Sequence, residues 1–387
     1  MTTFIPVLLD NFIGLPVTSP AFRVVIVHGG AAKMRVNAHI QAIGTAVPPW
    51  RYDQLELATS LATILGVPRS SRILAELARN TAIASRYSVL PDFSPTCQEP
   101  LLYGQEAPTT ATRNRIYEQL AAPLAARAAS ATLASAKISA CEVTHLITVS
   151  CTGFSAPGID VGLIHSLKLA PHVQRFHLGF MGCFAGLPAL HLASQIVIAQ
   201  PGAVVLVVCC ELCSLHFQPT NERNNLLSAS IFADGAGAAL VSADPTGPFR
   251  LGTHGSILIP DSTGAMAWQV GDTGFIMGLS REVPRLISDG LRTRLAAADG
   301  PLFTTPEALI WAVHPGGAAI LEACATGLSL PTTALANSYR VLRDYGNLSS
   351  ATILFVLKEL LADNRTGPGC ALAFGPGLTA NWLTFHR

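Results

Sequence analysis

The sequence predicts an α/β fold built from two similar halves. Three observations predict it. Short β-branched apolar runs recur along the chain, as strands buried on both faces would. Stretches with helical periodicity alternate with them, the pattern of α/β architecture. The order of these segments in the second half repeats that of the first. Half of the 387 residues are apolar and only 13% are charged, so a large buried core is available.

Residues 37–46 read as a strand that closes in the turn Val47-Pro48-Pro49, and residues 53–84 as helices broken at Gly66-Val67-Pro68. Residues 113–137 form a long Ala-rich amphipathic helix. The run 143–149 is the first strand buried on both faces, and Val204 to Val208 is the second. A third, Ala236 to Val241, follows a tight turn at Ala233-Asp234-Gly235. The helix between the first two runs covers Ala189 to Ile198. In the second half, Leu309 to Val313 runs into His314-Pro315-Gly316-Gly317, as 143–149 runs into Ser150-Cys151-Thr152-Gly153. Asn347 opens the helix Ser349 to Leu361, as Cys183 opens the earlier one. Ala371 to Phe374 enters a Gly-Pro-Gly turn and returns through Leu378 to Phe385 as a hairpin. The halves are residues 34–245 and 246–387. The repeat places Cys183 and Asn347 at equivalent helix starts, facing each other across a pseudo-twofold axis.

The first residues break this order. Met1 to Ala32 carries apolar stretches interrupted by Pro6, Pro16 and Pro20, without the basic start or small-residue cleavage site of a signal peptide. Regular patterning begins at Val36. Met34 is therefore read as the natural start, and residues 1–33 as a non-native or disordered extension. An N-terminal peptide beginning at Met1, found by mass spectrometry of the intact protein, overturns that reading.

Net charge is +1 and no basic run or acidic tail is present, so nothing points to nucleic acid. No stretch of about 18 uncharged apolar residues suggests a membrane span. The nine cysteines are odd in number and irregular in spacing, which reads as buried thiols of a reduced cytoplasm. Cys210 and Cys213 form a C-x-x-C, but no second pair or histidine cluster stands nearby, so no metal is expected.

Three groups stand at element ends. Cys183 follows a glycine on the first turn of a helix, where unpaired N–H groups stabilise a thiolate and lower its pKa. His314 follows a strand, and Asn347 precedes a helix. A histidine after a strand is ordinarily structural, and an asparagine before a helix is ordinarily an N-cap. Together they have the makings of a nucleophile, a base and an oxyanion donor.

These segments carry a resemblance. Phe180-Met181-Gly182-Cys183-Phe184-Ala185-Gly186, Trp311 to Gly317, Tyr345-Gly346-Asn347-Leu348-Ser349-Ser350-Ala351 and Phe374-Gly375-Pro376-Gly377 resemble the signature segments of type III polyketide synthases, the chalcone synthase superfamily. The resemblance runs from about residue 37 to the C-terminus. It implies a thiolase-like, five-layered αβαβα fold, a homodimer, and a Cys-His-Asn site that uses malonyl-CoA and an acyl-CoA starter as substrates, with no resident cofactor. By that resemblance Cys183 holds the growing chain, while His314 and Asn347 assist decarboxylation and stabilise the enolate. Phe232 matches a gating phenylalanine. Met277 matches the second gate, with Phe275 as the alternative. Gly316, Gly317 and Ala318 match the loop against the pantetheine. Ser349, Gly375 and Pro376 fall in the matched segments and are assigned to substrate binding. Arg72 and Arg79 are candidate phosphate contacts, though a solvated helix face serves equally for them.

Departures from the plant pattern bear on product. Cys151 and Thr152 line up with a cavity-lining pair, and Cys213 and His216 replace two cavity threonines. Ala156 replaces a methionine that reaches the partner subunit, and Trp268 replaces a glycine that shapes the cavity. These changes resemble the bacterial branch, whose members take long fatty acyl starters and make alkylpyrones or alkylresorcinols. Each buried methylene contributes about 0.8 kcal/mol, which makes an alkyl preference physically reasonable. The alternative enzyme is an initiating β-ketoacyl-carrier-protein synthase, whose histidine stands in His-Gln-Ala-Asn rather than His-Pro-Gly-Gly. A non-catalytic acyl-CoA-binding scaffold is the alternative of another class. Iodoacetamide is expected to label Cys183 fastest among the nine thiols, with acyl-CoA protecting it.

Overall fold

The computed structural model describes residues 36–65, 68–104, 108–218, 220–295 and 306–387. The chain divides into two units, Met1–Arg35 and Val36–Arg387, and the described residues all belong to the second. The extension expected over residues 1–33 lies outside the described residues.

The elements in chain order are β1 (His39–Ala46), β2 (Trp50–Asp53), α1 (Gln54–Leu65), α2 (Pro68–Asn80), β3 (Ser85–Ser88), α3 (Thr110–Ala136), β4 (His145–Ser150), α4 (Ile159–Leu167), β5 (Gln174–Gly179), α5 (Gly186–Ala199), β6 (Val205–Leu212) and α6 (Arg223–Ile231). They continue with β7 (Asp234–Ser242), β8 (Phe249–Leu258), β9 (Met266–Gly271), β10 (Gly274–Leu279), α7 (Val283–Leu295), β11 (Ile310–Val313), α8 (Ala318–Gly327), α9 (Ala336–Tyr345), α10 (Thr352–Leu361), β12 (Pro368–Gly375) and β13 (Thr379–His386).

Nine strands form one sheet in the order β11-β12-β13-β8-β1-β7-β6-β4-β5. It consists of two runs with matching connectivity. In the first, β4 is parallel to β6, and β7 and β1 follow antiparallel. In the second, β11 is parallel to β12, and β13 and β8 follow antiparallel. The runs join where β1 meets β8, at His39↔Arg250 and Ile40↔Phe249.

The strands alternate faces with a period of two. Ile147, Val149, Val205 and Val207 pack on one side of the first run, with Leu187 and Leu190 of α5 and Ile353 and Leu354 of α10. Ala312, Ala371 and Ala373 of the second run enter that same cluster. Leu146, Leu206 and Val208 face the other way, against Leu124, Ala125 and Ala128 of α3. Trp311, Val313 and Leu372 face Ile287 and Leu291 of α7 and Leu321 of α8. The result is five layers: α3, strands, the central pair α5 and α10, strands, then α7 and α8.

Two local expectations need correction. Ala233-Asp234-Gly235 is not a tight turn, because Asp234 is already the first residue of β7. Its buried carboxylate accepts from the N–H of Val89 (2.8 Å), the N–H of Ser214 (2.7 Å) and the Ser214 hydroxyl (2.6 Å). Those tertiary bonds override the turn preference of Asp-Gly. Cys183 does not stand on an α-helical turn. It opens a 3-10 turn, Cys183–Ala185, that leads into α5. The turn Ser349–Ala351 leads into α10 in the same way.

Candidate active site

The turn that presents Cys183 is fixed by a close approach of the β12–β13 hairpin. Gly182 has φ +92°, and a Cβ there would lie 2.3 Å from Cδ of Pro376. Only glycine combines that backbone conformation with so close an approach. The Gly375-Pro376-Gly377 turn of the β12–β13 hairpin therefore rests on the residue before the nucleophile.

Cys183 is 9% exposed. Burial pushes its pKa up to about 11, opposed by hydrogen bonds from the Ser349 hydroxyl and the Asn347 carboxamide. The lowering expected from the helix start is thus overturned, since the cost of desolvating a thiolate outweighs its stabilisation there. His314 follows β11 and is held by its N–H on the Leu372 carbonyl (2.8 Å). It is fully buried, and no protein group described meets either ring nitrogen. Burial pushes its pKa down to about 3, so the imidazole is neutral at physiological pH. At rest the pair is a thiol beside a neutral imidazole.

Asn347 is fixed through its main chain. Its N–H donates to Ile231 (2.9 Å), and its carbonyl accepts from Ala233 N–H (2.9 Å). Its side-chain Oδ1 accepts from Ser349 N–H (2.9 Å). That leaves Nδ2 to donate, toward the thiol and, at 3.4 Å, toward the Gly316 carbonyl.

Cys183, His314 and Asn347 line one small cavity, together with Gly316, Phe232 and Met277. A larger chamber shares Cys183, Phe232 and Met277 with it, and holds about 900 Å³ including its open mouth. Cys151, Thr152, Cys213, His216, Trp268, Ser349 and Pro376 line this chamber. Phe275 lines only the larger chamber, whereas Met277 lines both. Gly317, Ala318 and Gly375 line neither: Ala318 is drawn into the first turn of α8, and Gly375 pairs with Thr379 in the hairpin. Arg72 and Arg79 are exposed on α2 and Ala156 on a loop, and none of them lines either cavity.

One wall of the chamber is aromatic. His216 stacks on Phe275 with ring centroids 4.0 Å apart, and Trp268 stands edge-on to both. Phe275 N–H donates to His216 Nδ1 (3.1 Å), so Nε2 carries the proton and donates it to the Thr152 carbonyl (2.7 Å). Trp268 Nε1 donates to the Cys151 carbonyl (2.7 Å).

Glu211 was not singled out from the sequence, although an acid ending the apolar run of β6 is itself a signal. It is fully buried. It accepts from Cys151 N–H (2.9 Å), from the Thr152 hydroxyl (2.8 Å) and from the Ser350 hydroxyl. Burial raises its pKa against those bonds. The carboxyl thus ties the loop after β4 to the turn before α10.

The raised thiol pKa fixes the sign of a pH effect. Thiolate is scarce at neutral pH, so alkylation of the Cys183 peptide is expected to rise about tenfold per pH unit from 7 to 10. A rate that is flat from pH 6 to 8 contradicts this. Cys141 is exposed and Cys97 half-buried, so these two, not Cys183, are expected to react first with iodoacetamide at pH 7.

Residues 29–245 match the family described as chalcone and stilbene synthases, N-terminal domain, and residues 251–387 match the C-terminal domain of the same family. The chain belongs to the chalcone and stilbene synthases. It is a type III polyketide synthase, an acyltransferase of a family that uses malonyl-CoA and acyl-CoA substrates. It is 33% identical over 373 residues to bisdemethoxycurcumin synthase of Oryza sativa subsp. japonica, covering 90% of this chain and 92% of the relative. It is 34% identical over 321 residues to type III polyketide synthase C of Arabidopsis thaliana, covering 79% and 83%. The crystal structure of PKS-I from the brown alga Ectocarpus siliculosus superposes with a TM-score of 0.85 at 27% identity, covering 92% of this chain and 100% of that one. The C-terminal type III domain of "Steely1", a type I/III hybrid from Dictyostelium, gives 0.82 at 26% identity, covering 91% and 99%. The thiolase-like fold of this synthase is therefore the one its relatives share. Among the described residues, no helix is long and apolar enough to cross a membrane.

Proposed function

We propose that this synthase loads an acyl-CoA starter on Cys183 and extends it by decarboxylative Claisen condensation with malonyl-CoA. The observation that carries the assignment is the shared cavity of Cys183, His314 and Asn347, with both ring nitrogens of His314 unpartnered and Asn347 Nδ2 left to donate. As the thiol attacks the starter carbonyl, its proton passes to His314, which returns it to the departing coenzyme A thiolate. Malonyl-CoA then loses carbon dioxide. The electron pair of the broken C–C bond moves onto the thioester oxygen as an enolate, which the N–H of His314 and Nδ2 of Asn347 stabilise. The enolate carbon attacks the Cys183 thioester and expels the thiolate.

Phe232 and Met277, which line both cavities, are assigned the passage between coenzyme A entry and the chamber. The starter is assigned as a long-chain fatty acyl group, and the product as an alkylpyrone or alkylresorcinol, as in the bacterial branch. The apolar side chains of Leu57, Leu61, Phe93 and Phe217 in the chamber wall support an alkyl ligand. The enzyme is assigned as a cytoplasmic homodimer of two-domain subunits (34–245 and 246–387). The edge strand β5 exposes a row of residues that a second copy could cover.

Mass spectrometry of products from malonyl-CoA with acetyl-, hexanoyl-, palmitoyl- and aromatic-CoA starters tests the reading. Turnover of only acetyl or aromatic starters removes the fatty acyl assignment, and no turnover of any starter removes the condensation. Trp268 closes the aromatic wall, so Trp268→Ala is expected to raise kcat/KM for palmitoyl-CoA relative to hexanoyl-CoA about tenfold, the value of about two buried methylenes.

A further inference from the structure

Arg86 has no part in the chemistry above, yet the fold carries its charge into the interior. It lies on β3 and is 4% exposed. Its Nη1 donates to the carbonyls of Ala229 (2.7 Å) and Phe232 (2.6 Å), and its Nε donates to Gln54 Oε1 (2.8 Å). Gln54, also buried, donates from Nε2 to the Ser230 carbonyl (2.8 Å). The main-chain N–H of Asn347 takes the Ile231 carbonyl (2.9 Å). The carbonyls of residues 229–232, which the end of α6 leaves without intrahelical partners, are thus all taken by three residues. A cation is favoured there by the partial negative charge of the helix end.

The other flank of Arg86 is the end of α9. Ala84 N–H donates to the Arg343 carbonyl (2.7 Å), and the Ser85 hydroxyl donates to the Asp344 carbonyl (3.0 Å). Tyr87 stacks on Tyr345 with centroids 5.9 Å apart. Gly346 follows with φ +72°, and a Cβ there would lie 2.9 Å from Arg86 Cγ and 3.0 Å from Cδ. The side chain is therefore wedged between the carbonyl of Phe232 and the residue before Asn347. Phe232 and Asn347 are themselves joined by a parallel bridge.

We propose that Arg86 is a positioning residue: its guanidinium holds the end of α6 while its aliphatic stem packs against Gly346, and the two contacts together set where Phe232 and the Asn347 carboxamide stand in the cavity. This rests on the role given to Asn347 above. A guanidinium suits the task because its planar fork serves two carbonyls and an amide in set directions, whereas an ammonium is a point charge on a flexible stem.

The test compares Arg86→Lys, Gln54→Leu and Asn347→Ala in the full chain. Three quantities are measured: the melting temperature, acetylation of Cys183 by acetyl-CoA, read as acyl-enzyme by mass spectrometry, and malonyl-CoA decarboxylation. Arg86→Lys is expected to melt cooperatively and to acylate within about twofold of the parent. Its kcat for decarboxylation should fall about 10- to 100-fold, with a smaller change in KM, the signature of a displaced donor. Gln54→Leu should show the same split more weakly, and it carries the test if Arg86→Lys does not fold. Decarboxylation at the parent rate in the folded variants, or a fall equal to that in acylation, overturns the proposal. If Asn347→Ala itself decarboxylates at the parent rate, the assignment of Asn347 fails, and the role of Arg86 falls with it.

Discussion

Cys183→Ala is expected to reduce polyketide formation by at least about 10³-fold while leaving malonyl-CoA decarboxylation measurable. The reasoning separates two jobs. Covalent capture of the starter needs the sulfur, and among the described residues no second thiol lines the small cavity with His314 and Asn347. Decarboxylation needs donors at the enolate oxygen, and both remain in the variant. Alanine also removes a group that burial already keeps neutral, so no unpaired charge is left behind. Product assays by mass spectrometry and release of acetyl-CoA from malonyl-CoA read the two jobs separately. Polyketide yield near the parent value rules out Cys183 as the acyl carrier.

Substitution of His314 is expected to have the second-largest effect, and two variants divide its roles. His314→Ala removes base and donor together. Starter loading should fall about 10²–10⁴-fold, the usual worth of a general base, and decarboxylation about 10²–10³-fold, the worth of one oxyanion donor. His314→Gln keeps a donor and removes the base, so decarboxylation should recover in part while loading does not. Equal losses of both steps in the Gln variant contradict a dual role. The pH dependence carries a sign. A histidine held down to about 3 keeps its neutral form until pH falls through that value. No acidic limb from His314 is therefore expected between pH 5 and 8 in single-turnover loading, and a limb near the ordinary histidine value of about 6.5 contradicts a neutral buried imidazole.

The duplicated architecture was legible because it is written in short-range patterns. The runs at β4, β6, β7 and β11 are continuous and apolar because both of their faces are covered, and such runs are visible in one dimension. The hairpin of β12 and β13 announced itself by its Gly-Pro-Gly turn. The stretch from residue 246 to 308 was not legible. β8 and β9 lie there, mostly exposed or half-buried and without long apolar runs, and the short apolar run of β10 is broken by two glycines; the β9–β10 hairpin carries Trp268, Phe275 and Met277 to the chamber. Arg86 and Glu211 were passed over for another reason. Each acts through partners far away in sequence: Glu211 meets Ser350 across 139 residues, and Arg86 meets Phe232 across 146.

Local order was enough to name the elements that end in Cys183, His314 and Asn347, and motif resemblance was enough to name the family. Ionisation was not decided locally. Helix starts and neighbouring residue types argue for an acidified thiol, but desolvation depends on how much protein closes over the sulfur from both halves. Folding brings β11, the turn before α10 and the β9–β10 hairpin around Cys183, and that enclosure sends its pKa up and the imidazole's down. Burial is a property of all the neighbours at once, which no window of sequence contains.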